Sequence, residues 1–440
     1  MTDQELSVVE FVLTTLTYTE NEELDADDLP PSYRAPFWSG GTIDRPLSPT
    51  VEAARQATGV ERPWEAISGL MFTDYDDFTD ELEFTDRSMA ERWYLDRVGD
   101  EALETNPTLA AAFEDDHDVS YELARETNRP ARADRAFINA LLDEYFDEEE
   151  DEMLDLVDVR APEEIEMSLD DIVLTAEQER EIQKIVKAIE HREYLANIGL
   201  REIGKLLFVG PPGTGKTSVA RALAGKLGLA CVEVKLSMIT SQYLGETAKN
   251  VDKTFEVAKR LSPCILFIDE FDFVAKTRSS DEHAAIKRAV NTLLKSIDEV
   301  SLIRDEVLLI GATNHPDQLD AAAWRRFDEI VNFPRPDAPM RADILRIITR
   351  EMDIADFDPD AVAELTDGLT GSDLRLVMRE AVLEALTEER MTLTQNDLLD
   401  AVKDFEERDT LKNLDMVDGD HDALVAGGSF ESDGHDHSHD

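Results

Sequence analysis

The chain has 440 residues and a formal net charge of −54 at pH 7, from 98 acidic and 44 basic residues. Its length provides for two or three domains with buried cores, and no apolar run approaches the roughly 18 residues that cross a bilayer. Acidic residues occur along the whole sequence, which is typical of proteins from a high-salt cytoplasm, where counter-ions screen the self-repulsion. We therefore expect a cytoplasmic protein without a membrane partner, whose acidity does not indicate what it binds.

Residues 1–146 are predicted to form a mostly helical domain. Apolar side chains recur with helical spacing near both ends of this region, and Pro- and Asp-rich turns separate them. We find no motif in it. Its clustered aromatic residues are expected to pack in a core rather than to form a recognition surface; they are Tyr75, Phe78, Trp93 and Tyr94. An acidic run then begins a predicted solvated linker over residues 147–166.

From residue 167 the pattern changes to alternating strands and helices, which predicts a parallel, doubly wound α/β sheet over residues 167–335. Cys231 and Cys264 lie in two of these strands and are expected to be free, buried thiols. Residues 336–412 show helical patterns only and are predicted to form a small helical domain. The strands are predicted at 206–209, 230–234, 264–268, 307–312 and 329–333.

Residues 413–440 are predicted to be a disordered acidic tail in which His and Asp alternate near the end. We favour a solubilising role for this tail; loose binding of Zn²⁺ or Ni²⁺ by its histidines is the alternative.

A loop rich in Gly and Pro connects the first predicted strand of the sheet to an Ala-rich helical pattern, which is the setting of a phosphate-binding loop. Its glycines let consecutive backbone N–H groups point at phosphate oxygens, and the helix adds the positive end of its dipole. Lys216 supplies a cation for the β- and γ-phosphates, and the Thr217 hydroxyl is placed to ligate Mg²⁺. The predicted nucleotide-binding residues are Gly210, Pro211, Pro212, Gly213, Thr214, Gly215, Lys216, Thr217 and Ser218.

Polar residues follow two further buried strands. Asp269 and Glu270 end the strand at 264–268, where Asp269 can hold the shell of Mg²⁺ and Glu270 can polarise the attacking water. Asn314 ends the strand at 307–312 and would lie beside them, positioned to orient the water or the γ-phosphate.

These motifs resemble those of the AAA family of ATPases. The phosphate loop, Phe267-Ile-Asp-Glu-Phe-Asp272, Gly311-Ala-Thr-Asn-His-Pro316 and Arg325-Arg-Phe-Asp328 occur in the order and spacing of that family, over about residues 169–405. The resemblance implies a Mg²⁺-dependent ATP hydrolase with a helical lid after the sheet. It also implies assembly into a ring, typically a hexamer.

Further residues match motifs of the family. Arg325 and Arg326 are similar to the arginine fingers that reach the γ-phosphate of a neighbouring subunit. Gly371 and Ser372 are similar to the second sensor at the start of a lid helix. Asp171 and Ile172 are similar to the segment whose backbone recognises adenine, although Val173 and Leu174 replace its usual glycines.

The segment Tyr243-Leu244-Gly245 is similar to the family's aromatic pore loop, in which an aromatic ring from each subunit grips an extended polypeptide. We therefore expect a protein-remodelling or unfolding motor whose N-terminal region recruits the substrate or an adaptor. A nucleotide-controlled assembly chaperone or activator of one dedicated partner is the first alternative. The second is a binding scaffold that ATP holds together with little turnover. Nucleic acid is not an expected partner, because no motif for it occurs outside the ATPase.

Overall fold

The computed structural model describes residues 3–114, 117–147, 150–200, 203–235, 247–272, 284–319 and 321–418. These residues fall into two compact units. The first contains the described residues of Met1–Pro211 and Lys216–Phe333, and the second contains those of Pro212–Gly215 and Pro334–Asp440. The tip of the phosphate loop thus belongs to the second unit, together with the residues that follow the sheet.

The N-terminal region is mostly helical, as predicted, and its long first helix lies at the centre of an apolar core. Two short antiparallel hairpins, which the sequence did not indicate, interrupt the helices. The helices are α1 Asp3–Glu20, α2 Pro31–Arg34, α3 Val51–Thr58, α4 Pro63–Ile67, α5 Arg87–Leu95, α6 Asp100–Leu103, α7 Pro107–Phe113, α8 Tyr121–Thr127, α9 Arg135–Tyr145 and α10 Asp151–Leu154, and the hairpin strands are β1 Trp38–Ser39, β2 Thr42–Ile43, β3 Thr73–Asp76 and β4 Glu81–Phe84.

The aromatic residues of this region have different environments. Tyr94 is fully buried and Trp93 packs against the same core, as expected. Tyr75 is partly buried and stacks on Trp64, with ring centroids 5.5 Å apart. Phe78 contradicts the expectation of core packing, because it lies in the turn of the β3–β4 hairpin and its side chain is 96% exposed.

A six-stranded sheet forms the centre of the first unit, with strand order β10-β6-β9-β8-β7-β5. Five strands are parallel, and each of them overlaps a predicted strand. Three of these strands are buried at every residue, because helices cover both faces of a doubly wound sheet. The sheet strands are β5 Val157–Arg160, β6 Lys205–Val209, β7 Ala230–Val234, β8 Cys264–Ile268, β9 Val307–Thr313 and β10 Glu329–Asn332.

Helices pack on both faces of this sheet and give two apolar clusters, one on each side. The helix α13, which follows the phosphate loop, buries its small apolar residues against the strands, and Cys231 and Cys264 are free, buried thiols as expected. The helices of this part are α11 Ala176–Glu190, α12 Arg192–Asn197, α13 Lys216–Leu227, α14 Thr247–Arg260, α15 Ala284–Glu299, α16 Leu302–Asp305 and α17 Ala321–Trp324.

Strand β5 differs from the expected linker. It pairs antiparallel with β7, with Val157 opposite Val234 and Arg160 opposite Cys231. Residues from the end of the N-terminal region, among them Ile138 and Phe146, belong to the same apolar cluster as the sheet.

Before this strand Asp147 and Glu152 are exposed, whereas Glu150 is partly buried and forms an ion pair with Arg260 at 2.6 Å. The four residues of the strand alternate apolar and polar side chains and add an edge strand to the sheet. A period-two pattern this short is not distinctive in sequence.

The second unit contains the helical domain predicted after the sheet. Its helices enclose two small apolar clusters, and one short parallel pair of strands joins the loops between them. Its helices are α18 Ala338–Ile348, α19 Pro359–Glu364, α20 Gly371–Thr387 and α21 Gln395–Asp418, and its strands are β11 Ile354–Ala355 and β12 Leu393–Thr394.

No helix among the described residues combines the length and the apolar character needed to cross a bilayer. The predicted disordered tail at 413–440 is wrong for residues 413–418, because they continue the helix α21, and residues 419–440 lie outside the described residues.

A buried ion pair holds the N-terminal region together. The guanidinium of Arg34 is fully buried and binds both carboxylate oxygens of Asp134, 100 residues away in sequence. It also donates to the carbonyl oxygens of Leu29 and Arg129 at 3.0 and 2.7 Å. These bonds satisfy a charge that would otherwise be very costly to bury.

We expect Asp134→Asn to lower the free energy of unfolding by about 3–5 kcal/mol, because it leaves the Arg34 guanidinium buried without its counter-ion. Urea unfolding followed by circular dichroism in high-salt buffer measures the change. The control is Glu65→Gln, which breaks an exposed pair with Arg62 and should cost at most about 1 kcal/mol. Equal losses in the two variants would contradict the structural role of the buried pair.

Candidate nucleotide-binding site

The phosphate loop requires glycine at two positions for reasons that the structure makes explicit. Gly210 has φ of +152°, and a Cβ there would lie 2.1 Å from the carbonyl oxygen of Phe333. Gly213 has φ of +78°, and a Cβ there would lie 2.5 Å from the Thr370 hydroxyl oxygen. A side chain would therefore be strained and would clash at both positions. The glycines of the sequence pattern are thus required by the backbone conformation and by close neighbours, as in a phosphate-binding loop.

Lys216 lies at the first residue of α13 and is buried. Its ammonium group donates to the carbonyl oxygens of Gly210 and Pro211 at 2.8 and 2.7 Å, so it is directed back toward the first residues of the loop. Burial lowers the pKa of the Lys216 ammonium below its ordinary value, and the carboxylates of Asp269 and Asp272 partly offset this effect. A cation in this place can bind phosphate oxygens that the loop encloses.

The two predicted metal ligands meet in the structure. The Thr217 hydroxyl donates to a carboxylate oxygen of Asp269 at 2.8 Å, although 52 residues separate them in sequence. Among the described residues no group of three or more His, Cys, Asp or Glu side chains could hold a metal by itself. One hydroxyl and one carboxylate suit Mg²⁺, which usually retains waters and takes further oxygens from nucleotide phosphates.

Glu270 follows Asp269 at the end of β8 and is exposed. Its backbone has φ of +49°, which is uncommon for a residue with a side chain, and its N–H donates to the other carboxylate oxygen of Asp269 at 2.8 Å. The next residue, Phe271, donates its N–H to the carbonyl oxygen of Ala312 at 2.7 Å. Backbone strain of this kind persists where the surroundings enforce it and is frequent at functional sites.

Asn314 lies just beyond β9, which pairs with β8 so that Ile268 is opposite Gly311. This register places the end of β9 beside the strand that carries Asp269 and Glu270. Asn314 is partly buried. The sheet thus brings together the strand ends that carry the predicted water-orienting and water-polarising residues.

Asp272 is a member of the site to which the sequence analysis gave no role. Its side chain is buried, and one carboxylate oxygen accepts a hydrogen bond from the Thr313 hydroxyl at 3.2 Å. It also contributes to the electrostatic environment of Lys216. The repeated acid in Asp269-Glu-Phe-Asp272 was the available signal, but the acidic composition of the chain hides it.

The predicted adenine segment packs against α13. Asp171 ends a short 3₁₀ turn that contacts α13, and its carboxylate accepts from the backbone and hydroxyl of Ser168 at 2.9 Å. Ile172 packs against the apolar cluster that includes α13 residues. The segment is therefore held against α13, the helix that follows the phosphate loop.

Gly371 and Ser372 begin the helix α20 in the second unit. Thr370 caps this helix, and its side chain and that of Asp373 form reciprocal hydrogen bonds with each other's backbone N–H groups. The N–H of Ser372 donates to the carbonyl oxygen of Gly213 at 3.2 Å. The positive end of a helix thus adjoins the tip of the phosphate loop.

The two predicted arginine fingers have different surroundings. Arg325 follows α17 and its side chain is exposed. Arg326 is partly buried and forms an ion pair with Asp298 at 3.0 Å. The predicted pore loop, Tyr243, Leu244 and Gly245, lies outside the described residues.

Comparison with known proteins agrees with this geometry. Residues 206–335 match the family described as ATPase family associated with various cellular activities (AAA), and residues 356–400 match the AAA+ lid domain. An uncharacterized AAA family ATPase, y4kL, from Sinorhizobium fredii is 40% identical over 240 residues, which make up 54% of this chain and 71% of that protein. The chain belongs to the AAA family of ATPases.

Other relatives in the AAA family are proteasome-activating nucleotidases. That of Pyrococcus horikoshii is 39% identical over 232 residues, 51% of this chain and 58% of that protein. That of Methanocaldococcus jannaschii is 35% identical over 249 residues, 55% of this chain and 58% of that protein. This chain therefore spans less than two thirds of these nucleotidases.

We predict that Gly210→Ala weakens nucleotide binding at least tenfold, because the added Cβ overlaps the Phe333 carbonyl and forces the loop to move. Binding of a fluorescent ATP analogue measures the effect. Gly225→Ala is the matched control: Gly225 lies within α13, and its added Cβ meets only an ordinary 3.6 Å contact with Ile165. The control should bind nucleotide normally and stabilise α13 by up to about 1 kcal/mol. Normal binding by Gly210→Ala would show that the loop tolerates a side chain.

Proposed function

We propose that this protein is a Mg²⁺-dependent ATPase that hydrolyses ATP between the subunits of a ring and uses the energy to remodel protein substrates. The observation that carries the first part is the 2.8 Å hydrogen bond between Thr217 and Asp269, with Glu270 next in the chain. A hydroxyl and a carboxylate this close can share one Mg²⁺, and a metal there would lie beside the loop that encloses the phosphates.

The other groups have roles that follow from their positions. Lys216 would bind the β- and γ-phosphates, and Glu270 would polarise the water that attacks the γ-phosphate. Asn314 would orient that water, and Asp171 and Ile172 would lie along the adenine. Transfer of the phosphoryl group to water needs positioning and charge stabilisation more than covalent chemistry, which this set of groups can supply.

Assembly into a ring is supported by the exposed Arg325. A cation supplied by a neighbouring subunit stabilises the charge of the transition state and makes hydrolysis depend on contact between subunits. The resemblance to the AAA family favours a hexamer. We further propose that residues 1–146 recruit a protein substrate or an adaptor, and that Tyr243 grips the polypeptide.

We expect the specific ATP turnover of the wild type in high-salt buffer to rise with protein concentration as subunits assemble. Glu270→Gln should lower turnover at least about a hundredfold through loss of the water-polarising carboxylate. Arg325→Ala should lower it about a thousandfold through loss of the cation supplied in trans. Phosphate release measures turnover, and size-exclusion chromatography measures assembly.

Both variants should still bind ATP, because neither residue belongs to the phosphate loop. Turnover that does not depend on concentration would contradict catalysis at a subunit interface. ATP binding without turnover at any concentration would favour the scaffold that ATP holds together.

Tyr243→Ala should abolish unfolding of a tagged, folded substrate while sparing ATP turnover, because the tyrosine contacts the polypeptide and not the nucleotide. Loss of substrate fluorescence measures unfolding. Tyr194→Ala, at a tyrosine whose side chain is 63% exposed, is the control and should unfold the substrate normally. Full unfolding activity in Tyr243→Ala would instead favour a chaperone that reshapes one partner without threading it.

A further inference from the structure

The neighbouring residues Arg325 and Arg326 differ in what holds their side chains. Arg325 is exposed, and within the described part of the chain its guanidinium has no ion-pair partner. The Arg326 side chain is 24% exposed and is held on several sides. Two adjacent arginines thus differ in exposure: among the described residues, the side chain of Arg325 is free to reach outward, and that of Arg326 is held against the protein.

Arg326 uses its guanidinium to bind its own subunit. Its Nε donates to the carbonyl oxygen of Leu294 at 2.9 Å and to a carboxylate oxygen of Asp298 at 3.1 Å. A second nitrogen lies 3.0 Å from the same carboxylate, and the third donates to the carbonyl oxygen of Ala322. All three guanidinium nitrogens therefore have partners. Charge-assisted bonds of this planar fork fix orientation as well as contributing energy.

The partners of Arg326 lie on a firmly packed helix. Leu294 and Asp298 belong to α15, and Leu294 and Ile297 are buried in the main apolar cluster of the sheet. An arginine tied to a carbonyl and a carboxylate of this helix fixes its own backbone relative to the core.

The residue after Arg326 is anchored too. The ring of Phe327 is buried and packs edge-on against Phe271, with centroids 5.2 Å apart. Phe271 directly follows Glu270. A Cβ at Gly311 would lie 3.1 Å from the Phe327 ring, so β9 closes the space on another side. Arg326 and Phe327 together hold the backbone from which Arg325 projects.

We propose that the two arginines have different roles. Arg325 is the catalytic cation that reaches a neighbouring subunit's ATP, and Arg326 is a positioning residue bound to Asp298 of its own subunit. This inference rests on the proposed hydrolysis between subunits and deepens it. If Arg326 reached across to a phosphate, its bonds to Asp298, Leu294 and Ala322 would break.

The test uses variants of the 440-residue chain at concentrations where it is assembled. Asp298→Asn and Arg326→Ala should each lower turnover roughly tenfold to a hundredfold, because the backbone at Arg326 loses its anchor and the neighbouring Arg325 is misplaced. The charge-swapped double variant Arg326→Asp/Asp298→Arg should have at least tenfold higher turnover than Arg326→Asp alone. Glu299→Gln is the matched control on α15, because Glu299 pairs with Lys295 of the same helix, and it should keep wild-type turnover.

The proposal is overturned if Asp298→Asn retains wild-type turnover while Arg326→Ala is as inactive as Arg325→Ala, because Arg326 would then act on phosphate directly. Size exclusion and thermal melting of each variant show whether assembly or folding has changed. Asp298 is half-exposed on a helix surface, so Asp298→Asn is expected to fold. If Arg325→Ala itself keeps full turnover, the proposed hydrolysis between subunits is wrong. This outcome differs from the one that would overturn only the positioning role of Arg326.

Discussion

The parallel pairing of β6, β9 and β8 is the constraint on which the site depends. Parallel strands end at the same edge, so the phosphate loop after β6, Asn314 after β9 and Asp269 after β8 converge. The backbone ladder sets the register and therefore the distances. The hydrogen bond from Thr217 to Asp269 is a consequence of this register, since each side chain needs only a short reach from its element.

Much of this arrangement was predictable because the signals are local. A phosphate loop is recognisable from its glycines and lysine, and a buried parallel strand from a continuous apolar run followed by a polar residue. The five parallel strands, the helical domain after them and the mostly helical N-terminal region are confirmed. The requirement for glycine at 210 was evident as a pattern, but its cause, the Phe333 carbonyl, lies more than 120 residues away in sequence.

What escaped prediction depends on contacts between distant residues. Strand β5 has only four residues, and its pairing with β7 decides its structure. The role of Asp298 follows from its distance to Arg326, and nothing in the sequence near Asp298 distinguishes it from other surface acids. The prediction that Phe78 packs in a core was wrong. An aromatic residue in a cluster is usually buried, whereas a hairpin turn directs this one outward. In a chain this acidic, composition obscures the carboxylates that matter.

The antiparallel β5 has a consequence for how the polypeptide can be divided. A fragment starting at residue 167, where the sequence alone places the ATPase boundary, would lack the strand that pairs with β7. The free N–H and C=O groups of β7 would then form an open edge, and the sheet cluster would lose the cover of Ile138, Leu141 and Phe146. Exposed edges with adjacent apolar surface favour association between sheets. The smallest fragment that keeps all six strands and this apolar cover therefore begins before Ile138, within residues 1–146, so the end of the N-terminal region belongs to the hydrophobic core of the sheet.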